Sequence, residues 1–427
     1  MRISTLQAFN NGVTGIQRNY SNATRTQEQI STGNRILTPA DDPVASVRLL
    51  QLEQQQSVLG QYDSNLTAAK NSLSQEEVTL NSVNTVLQRV RELAVQAGNG
   101  SLDPQDRKSI AAELGERENE LLGLMNTRNA RGEYLFSGFQ GKTQPFVRAA
   151  DGSYSYQGDE GQRKLQIASS LNIPISDNGK SVFQSVTNAG RVDSALLNKP
   201  AGSTLAASAP LVQDEVAFSA FPKAGVQVIF NDAPDERGYK VFEYGADPAT
   251  ATPLATGSVD QDASKSDQLV FAGVALQFDG MPAGGERVAV LPGRISVDST
   301  TGTVTTSAVE NKQGILDTIA SLRKALEEPL TSASDVRDSV AVALTNLDHG
   351  MVSVDAARGN IGARLNIIES TQTDNEDVTL VNKGVQADLR ELDYAEALSR
   401  LSMQTVVLEA AQQSYVKIAG LSLFNKM

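Results

Sequence analysis

Apolar residues recur every three or four positions near the start of the chain, which predicts an α-helix with a single apolar stripe. The stripe consists of Leu6, Phe9, Val13, Ile16, Tyr20, Ala23 and Ile30, and the polar Gln27 interrupts it. Because the steps alternate between three and four, this pattern is typical of a helix that packs lengthwise against a partner helix.

A longer periodic pattern follows a break at 38–43. Asp42 is suited to cap a helix, and Pro43 to occupy its first turn. Leucines then recur at a strict spacing of seven, which indicates a long supercoiled helix running from Pro43 to about Ala97. They are Leu52, Leu59, Leu66, Leu73, Leu80 and Leu87. We expect them to form the core of a helical rod within one chain; dimerisation through the leucines is the alternative.

The pattern changes after a third predicted helix, which opens at Asp103-Pro104 and extends to about Arg128. From Gly132 to about Thr306, short runs of alternating polarity are separated by Gly, Pro, Asn and Asp, which predicts antiparallel β-structure. The clearest predicted strands are 226–230, 239–244 and 294–297.

Helical spacing returns at Ile315 and, after a pause at Glu328-Pro329, continues towards the C-terminus. The last predicted helix carries the apolar residues Tyr394, Leu398, Leu401, Leu408, Tyr415 and Ile418. The β region between the two helical ends cannot cover both of their stripes. The N- and C-terminal helices should therefore lie side by side.

These elements predict an α+β multidomain protein. Its N- and C-terminal segments form a long α-helical coiled coil or bundle, and a β-rich insertion occupies the centre. We place the terminal helical domain at 1–42 and 388–427, and a helical rod domain with a β-hairpin segment at 43–185 and 307–387. A variable, β-rich outer domain should occupy 186–306.

Charge and composition exclude several classes of function. Lys and Arg number 37 against 50 Asp and Glu, a net charge of -13, which disfavours nucleic acid as a partner. The chain has no cysteine, so it can form neither disulfides nor thiolate metal sites. No apolar run is long enough to span a membrane, and the first residues lack the features of a cleavable signal peptide.

A search for catalytic chemistry also fails. His349 is the only histidine, and we expect it to be solvated or to cap a helix. The segment 138–143 lacks the first glycine of a phosphate-binding loop, because position 136 is Phe136. Asp41 and Asp42 have no third metal ligand nearby, so helix capping is the better interpretation. We therefore expect no catalytic residues, no cofactor and no metal, and the chain is not expected to be an enzyme.

Several segments carry a resemblance to a known family. The stretch 31–36 followed by 39–44 closely resembles the flagellin superfamily, as do 89–97 and the chain from Leu392 onward. Within that superfamily, three further segments are more similar to the hook-associated protein 3 family of hook-filament junction proteins than to filament flagellin. They are 132–138 with 143–146, 156–163, and the end of the chain at 420–424.

The resemblance implies a subunit that lacks a cleaved signal and is secreted, unfolded, through the flagellar type III export apparatus. An export chaperone would hold its C-terminal helix beforehand. Outside the cell it would assemble into a ring between the first hook-associated protein and flagellin, in a flagellum that drives motility. A filament-forming flagellin and an unrelated extracellular adhesin or enzyme are the alternatives.

The two terminal stripes should form the assembly seam, and residues 1–42 and 388–427 should order only on assembly. The seam we predict consists of Leu6, Phe9, Val13, Ile16, Tyr20, Leu398, Leu401, Leu408, Tyr415, Leu421, Leu423 and Phe424.

Overall fold

The computed structural model describes residues 3–200, 202–260, 262, 266–298, 303–328 and 333–424. The chain divides into two compact units. Unit 1 comprises Met1–Thr67, Gln166–Leu171 and Ile368–Met427, and unit 2 comprises Ala68–Leu165 and Asn172–Ile367. This division is coarser than the three predicted domains, whose boundaries stay a prediction.

Long helices at both ends of the chain confirm the predicted fold class. The α-helices are α1 Ile3–Thr32, α2 Pro43–Ala97, α3 Pro104–Met125, α4 Glu215–Phe218, α5 Ile315–Glu327, α6 Ala333–Arg390 and α7 Tyr394–Phe424, and a π-helix of 5 residues spans Lys180–Gln184. The predicted caps are present: the Ala45 amide donates to Asp42 Oδ1 at 3.0 Å, and Asp103 Oδ1 accepts the amides of Gln105 and Asp106 at 2.8 Å.

Apart from the short two-stranded sheet of β3 and β4, the described strand pairs are antiparallel. The strands are β1 Phe146–Arg148, β2 Tyr154–Tyr156, β3 Lys164–Gln166, β4 Asn172–Pro174, β5 Val186–Thr187, β6 Val192–Asn198, β7 Ala206–Ala207, β8 Leu211–Val212, β9 Val226–Phe230, β10 Gly238–Glu243, β11 Ala255–Ser258, β12 Asp267–Phe271, β13 Val274–Asp279, β14 Arg287–Pro292, β15 Arg294–Val297, β16 Val304–Ser307 and β17 Lys312–Gln313.

Two larger sheets form the β-rich centre, one of five strands in the order β11-β10-β9-β14-β6 and one built from β12, β13, β7 and β8. Alternate residues of both sheets point into one apolar core that includes Phe230, Phe278, Val241 and Val288. The alternation seen in the sequence thus reflects sheets with one buried face.

The leucines of the heptad repeat lie on the inward face of α2. Leu66, Leu73, Leu80 and Leu87 are fully buried, Leu59 is at the edge of burial, and Leu52 is half-buried. In unit 2, α2 packs beside α6, since Asn84 donates to Asp355 at 3.2 Å and Arg91 Nε to Asp348 at 2.7 Å.

His349 does not have the solvated or capping role expected from the sequence. It lies inside α6 and is half-buried, with its Nδ1 3.0 Å from the carbonyl oxygen of Thr187 on β5. This contact ties the β-rich centre to α6, because an imidazole N–H can satisfy a strand carbonyl that would otherwise lose its hydration.

Buried charge also joins the elements of unit 2. Glu118 on α3 is almost completely buried, and its carboxylate accepts from Tyr154 Oη at 2.5 Å and from Arg323 Nε at 2.9 Å. Burial, together with the hydrogen bond to Glu118, raises the pKa of Tyr154. The network fastens α3 to β2 and α5, since a carboxylate buried without these donors would be strongly destabilising.

Candidate assembly surface

In unit 1, α1 and α7 pack along each other, which confirms that the two ends of the chain lie side by side. The ring centres of Phe9 and Tyr415 are 5.1 Å apart. Gly12 lies beneath the Tyr415 ring, and a Cβ at this position would approach the ring to 3.4 Å. This is ordinary van der Waals contact, so the Tyr415 ring packs directly over α1 at Gly12.

The seam between these helices is built mainly of small, polar and half-buried residues. On α7 the least exposed positions are Ala397, Leu401, Gln404, Leu408, Ala411 and Tyr415. On α1 they include Gly12, Ile16, Asn19, Ala23, Thr26 and Ile30. Both series advance in alternating steps of three and four, which is the spacing of a coiled-coil seam.

Some of the predicted seam residues lie in this contact and others do not. Val13, Ile16, Leu401, Leu408 and Tyr415 are half-buried. Phe9 is 46% exposed although its ring contacts Tyr415. By contrast, the exposed fractions are 64% for Tyr20 and 55% for Leu398. The side chains of Leu6, Leu421, Leu423 and Phe424 lie outside the part of the chain whose side chains the structure describes. The role of all these residues in assembly stays a prediction.

The register of α7 explains why Leu398 is exposed. The seam position is its neighbour Ala397, which is fully buried, and each residue of an α-helix turns the side chain by about 100°. Leu398 therefore points to the flank of the seam.

Large apolar side chains surround α7. Val406 lies midway in sequence between the seam residues Gln404 and Leu408, so it points about half a turn away from the seam. Its side chain is 60% exposed, and Met403, Val407 and Val416 are exposed in other directions. A helix that is apolar on all sides is normally buried on all sides.

The rest of unit 1 shows the same excess of uncovered apolar surface. Its buried apolar residues, among those described, are Ala23, Ala45, Leu59, Leu66, Ile167, Ile368, Leu392 and Ala397. Its exposed large ones include Val44, Val47 and Leu50 on α2 and Val378, Leu380 and Val381 on α6. Large exposed apolar side chains that lie close together in the sequence of one helix are typical of an interaction surface.

Hydrogen bonds between two connecting segments fix the base of the α1–α7 pair. The Arg35 amide donates to the Arg390 carbonyl at 2.8 Å, and the Leu392 amide donates to the Gly33 carbonyl at 3.0 Å. Gly33 has a φ of 70°, and a Cβ there would lie 2.8 Å from Tyr394 Oη, so a larger residue would be strained.

The adjacent carboxylates Asp41 and Asp42 act within this base. Asp41 Oδ2 accepts the amides of Leu37 and Thr38 at 2.9 and 3.1 Å, and the carboxylate pairs with Arg25. Asp42 caps α2. The interpretation of these residues as structural rather than metal-binding is supported, because their oxygens are already hydrogen-bonded.

Neither a metal-binding cluster nor a membrane-spanning helix is present in the part of the chain that the structure describes. The described residues contain no group of three or more His, Cys, Asp or Glu side chains arranged to hold a metal ion. Within the same ranges, no helix combines the length and the apolarity needed to cross a membrane.

Comparison with known proteins points to the flagellum. Residues 3–141 match the family described as bacterial flagellin N-terminal helical region. Flagellar hook-associated protein 3 of Salmonella typhimurium is 35% identical over 188 residues, which are 44% of this chain and 58% of that protein. A flagellin of Listeria innocua is 29% identical over 138 residues, 32% of this chain and 48% of that flagellin. The chain thus spans about half the length of these curated relatives, 58% of one and 48% of the other.

A solved structure extends the likeness beyond the aligned sequence. The flagellar junction protein of Legionella pneumophila is 25% identical to this chain and superposes with a TM-score of 0.61, covering 81% of this chain and 100% of that one. In sequence and in fold, the chain is therefore similar to flagellar hook-associated protein 3 of the flagellin superfamily.

Proposed function

We propose that the chain is a structural subunit of the bacterial flagellum, the junction protein that connects the hook, through the first hook-associated protein, to the flagellin filament. The observation that carries this proposal is the apolar surface around α7: α1 covers one face, while Val406, Val407 and Val416 stay exposed among the described residues. The similarity to hook-associated protein 3 supplies the setting.

The balance between buried apolar area and ordering entropy in α1 and α7 favours packing of several copies around a common axis. A lone pair of helices buries little apolar area against the entropy lost on ordering, so α1 and α7 are marginal in an isolated molecule. Neighbouring copies would cover the faces of α7 that carry Val406 and Leu398. Because each copy would present a different face to each neighbour, the contacts are heterologous and close into a ring if the rotation permits.

The remaining assignments follow from the same similarity. The subunit would be exported unfolded by the flagellar type III route, with a chaperone on its C-terminal helix, and would work outside the cell without catalysing a reaction. Its partners would be copies of itself, the first hook-associated protein and flagellin. The absence of cysteine agrees with export through an unfolded state, since the chain carries no thiol to oxidise outside the cell.

Deletion of the gene tests the proposal. We expect the deletion strain to lose motility and to release flagellin monomers into the medium, because filament subunits would have no junction on which to assemble. Re-expression of the full chain should restore both. A strain that retains full filaments without this chain would refute a junction role.

A filament-forming flagellin is the second candidate, supported by the match to the flagellin N-terminal region. The two functions differ in a direct observation. A flagellin polymerises alone into long filaments, whereas the junction protein should not. Electron microscopy of the concentrated, purified chain separates them, and long filaments would favour the flagellin.

A further inference from the structure

A carboxylic acid lies buried in the helical part of unit 2. Glu76 on α2 is 1% exposed, and its Oε1 accepts the backbone amide of Asp177 at 3.0 Å. This bond connects α2 to a segment that is 101 residues distant in sequence. The contact is therefore part of the tertiary structure and not of the helix itself.

The cations near Glu76 are already engaged. Arg364 on α6 binds both carboxylate oxygens of Asp177, at 2.9 and 3.2 Å, and Asp177 also accepts from Gln162 at 2.7 Å. Arg163 binds Glu133 at 2.8 Å. Its buried Nε has no hydrogen-bond partner among the described residues, and no ion pair between Arg163 and Glu76 is present there.

Two carboxyl groups, those of Glu76 and Asp177, thus lie close together, while the Arg364 guanidinium pairs with Asp177 and the Arg163 guanidinium with Glu133. A buried carboxylate without its own cation is strongly disfavoured, so Glu76 is stable there as the neutral acid. Burial, and then the negative charge of Asp177, raise the pKa of Glu76 from 4.5 to about 8.

We propose that Glu76 makes the contact between α2 and the segment around Asp177 sensitive to pH. As a neutral acid it accepts the Asp177 amide without electrostatic cost. Once ionised, it faces the Asp177 carboxylate, which already occupies Arg364, and the contact weakens. The proposal concerns unit 2 alone and does not depend on the proposed function.

The direction of the effect follows from linkage. The pKa of Glu76 is higher in the folded than in the unfolded chain, so its contribution to stability is fully present below pH 4.5 and is lost as pH rises towards 8. Between these values, the unfolding equilibrium constant gains a factor of about ten per pH unit from this one group. Above pH 8 the loss levels off.

Glu76→Gln isolates this group, because the amide keeps the shape and the acceptor but cannot ionise. Glu77→Gln is the matched control: Glu77 is the next residue on α2 and only half-buried. Urea unfolding followed by far-UV circular dichroism from pH 4 to pH 9 gives the equilibrium constant for each chain. The carboxyl 13C shift of Glu76 in the folded protein reports its titration directly.

We expect wild type and Glu76→Gln to be similarly stable near pH 4. By pH 8 the variant should be more stable by roughly a thousandfold in the equilibrium constant. Glu77→Gln should follow the wild-type curve. Parallel curves for wild type and Glu76→Gln, or a 13C titration of Glu76 near pH 4.5, would overturn the proposal.

Discussion

Val406→Asp separates the stability of the single chain from its capacity to assemble. Val406 is 60% exposed on the face of α7 opposite the α1 seam. If that face is covered by neighbouring copies, the substitution places a charge in a contact that the isolated molecule does not contain. The isolated chain should therefore tolerate a change that assembly does not.

The exposed fraction sets the size of the effect. Full burial of a valine contributes about 1.5 to 3 kcal/mol, so covering the remaining 60% of Val406 would contribute roughly 1 to 2 kcal/mol per copy. An aspartate there loses this contribution and must also be desolvated without a partner, which costs several kcal/mol more. In the isolated chain, the change at an exposed helical site costs at most about 1 kcal/mol.

Two measurements check this prediction. Thermal unfolding of the purified variant should match wild type closely, while the variant should fail to restore motility to a deletion strain and should leave flagellin in the medium. Val216→Asp on α4 is the control, because Val216 is 84% exposed and lies in the β-rich centre. It should leave both readouts unchanged. Full motility with Val406→Asp would refute the assignment of this face to assembly.

Two further predictions concern the stability of the parts. Leu80→Ala, at a fully buried position of α2, should lower the free energy of unfolding in urea by about 2 to 5 kcal/mol. The control Gln88→Ala, at an exposed position of the same helix, should change it by at most about 0.5 kcal/mol. Equal effects would mean that the leucine repeat does not form a buried core. Amides in 1–42 and 388–427 should exchange with solvent faster than those of buried α2 in the purified chain and become protected on assembly, and strong protection at both ends of the free molecule would contradict this.

The sequence predicted the helical framework because periodicity and caps are local. The break at 38–43, the seven-residue spacing and Asp103-Pro104 gave the bounds of α2 and the start of α3 as the structure has them. The strands at 226–230 and 294–297 also correspond to β9 and β15. In each case the deciding residues lie within a few positions of the boundary they set.

The details of the candidate surface were harder to predict. Apolar residues surround α7, so the spacing could not show that the seam with α1 uses Ala397 and not Leu398. Glu76 gave no signal, because a charged residue on a long helix usually lies in solvent. Its partner Asp177, like the Thr187 partner of His349, comes from a distant part of the chain, and only tertiary structure brings them together.

The short pair β5–β17 has a consequence for how this protein can vary. Val186 lies opposite Gln313 and Thr187 opposite Lys312, and beyond them the Asn188 amide donates to the Asn311 carbonyl at 3.1 Å. The chain thus leaves and re-enters the helical framework at adjacent positions. Between 188 and 311, the Ala189 and Ala209 amides also donate to Asn346 and Asp338 on α6, at 2.7 and 3.0 Å. Loops of this region that do not contact α6 can therefore change in length or sequence without displacing the helices that carry the proposed assembly.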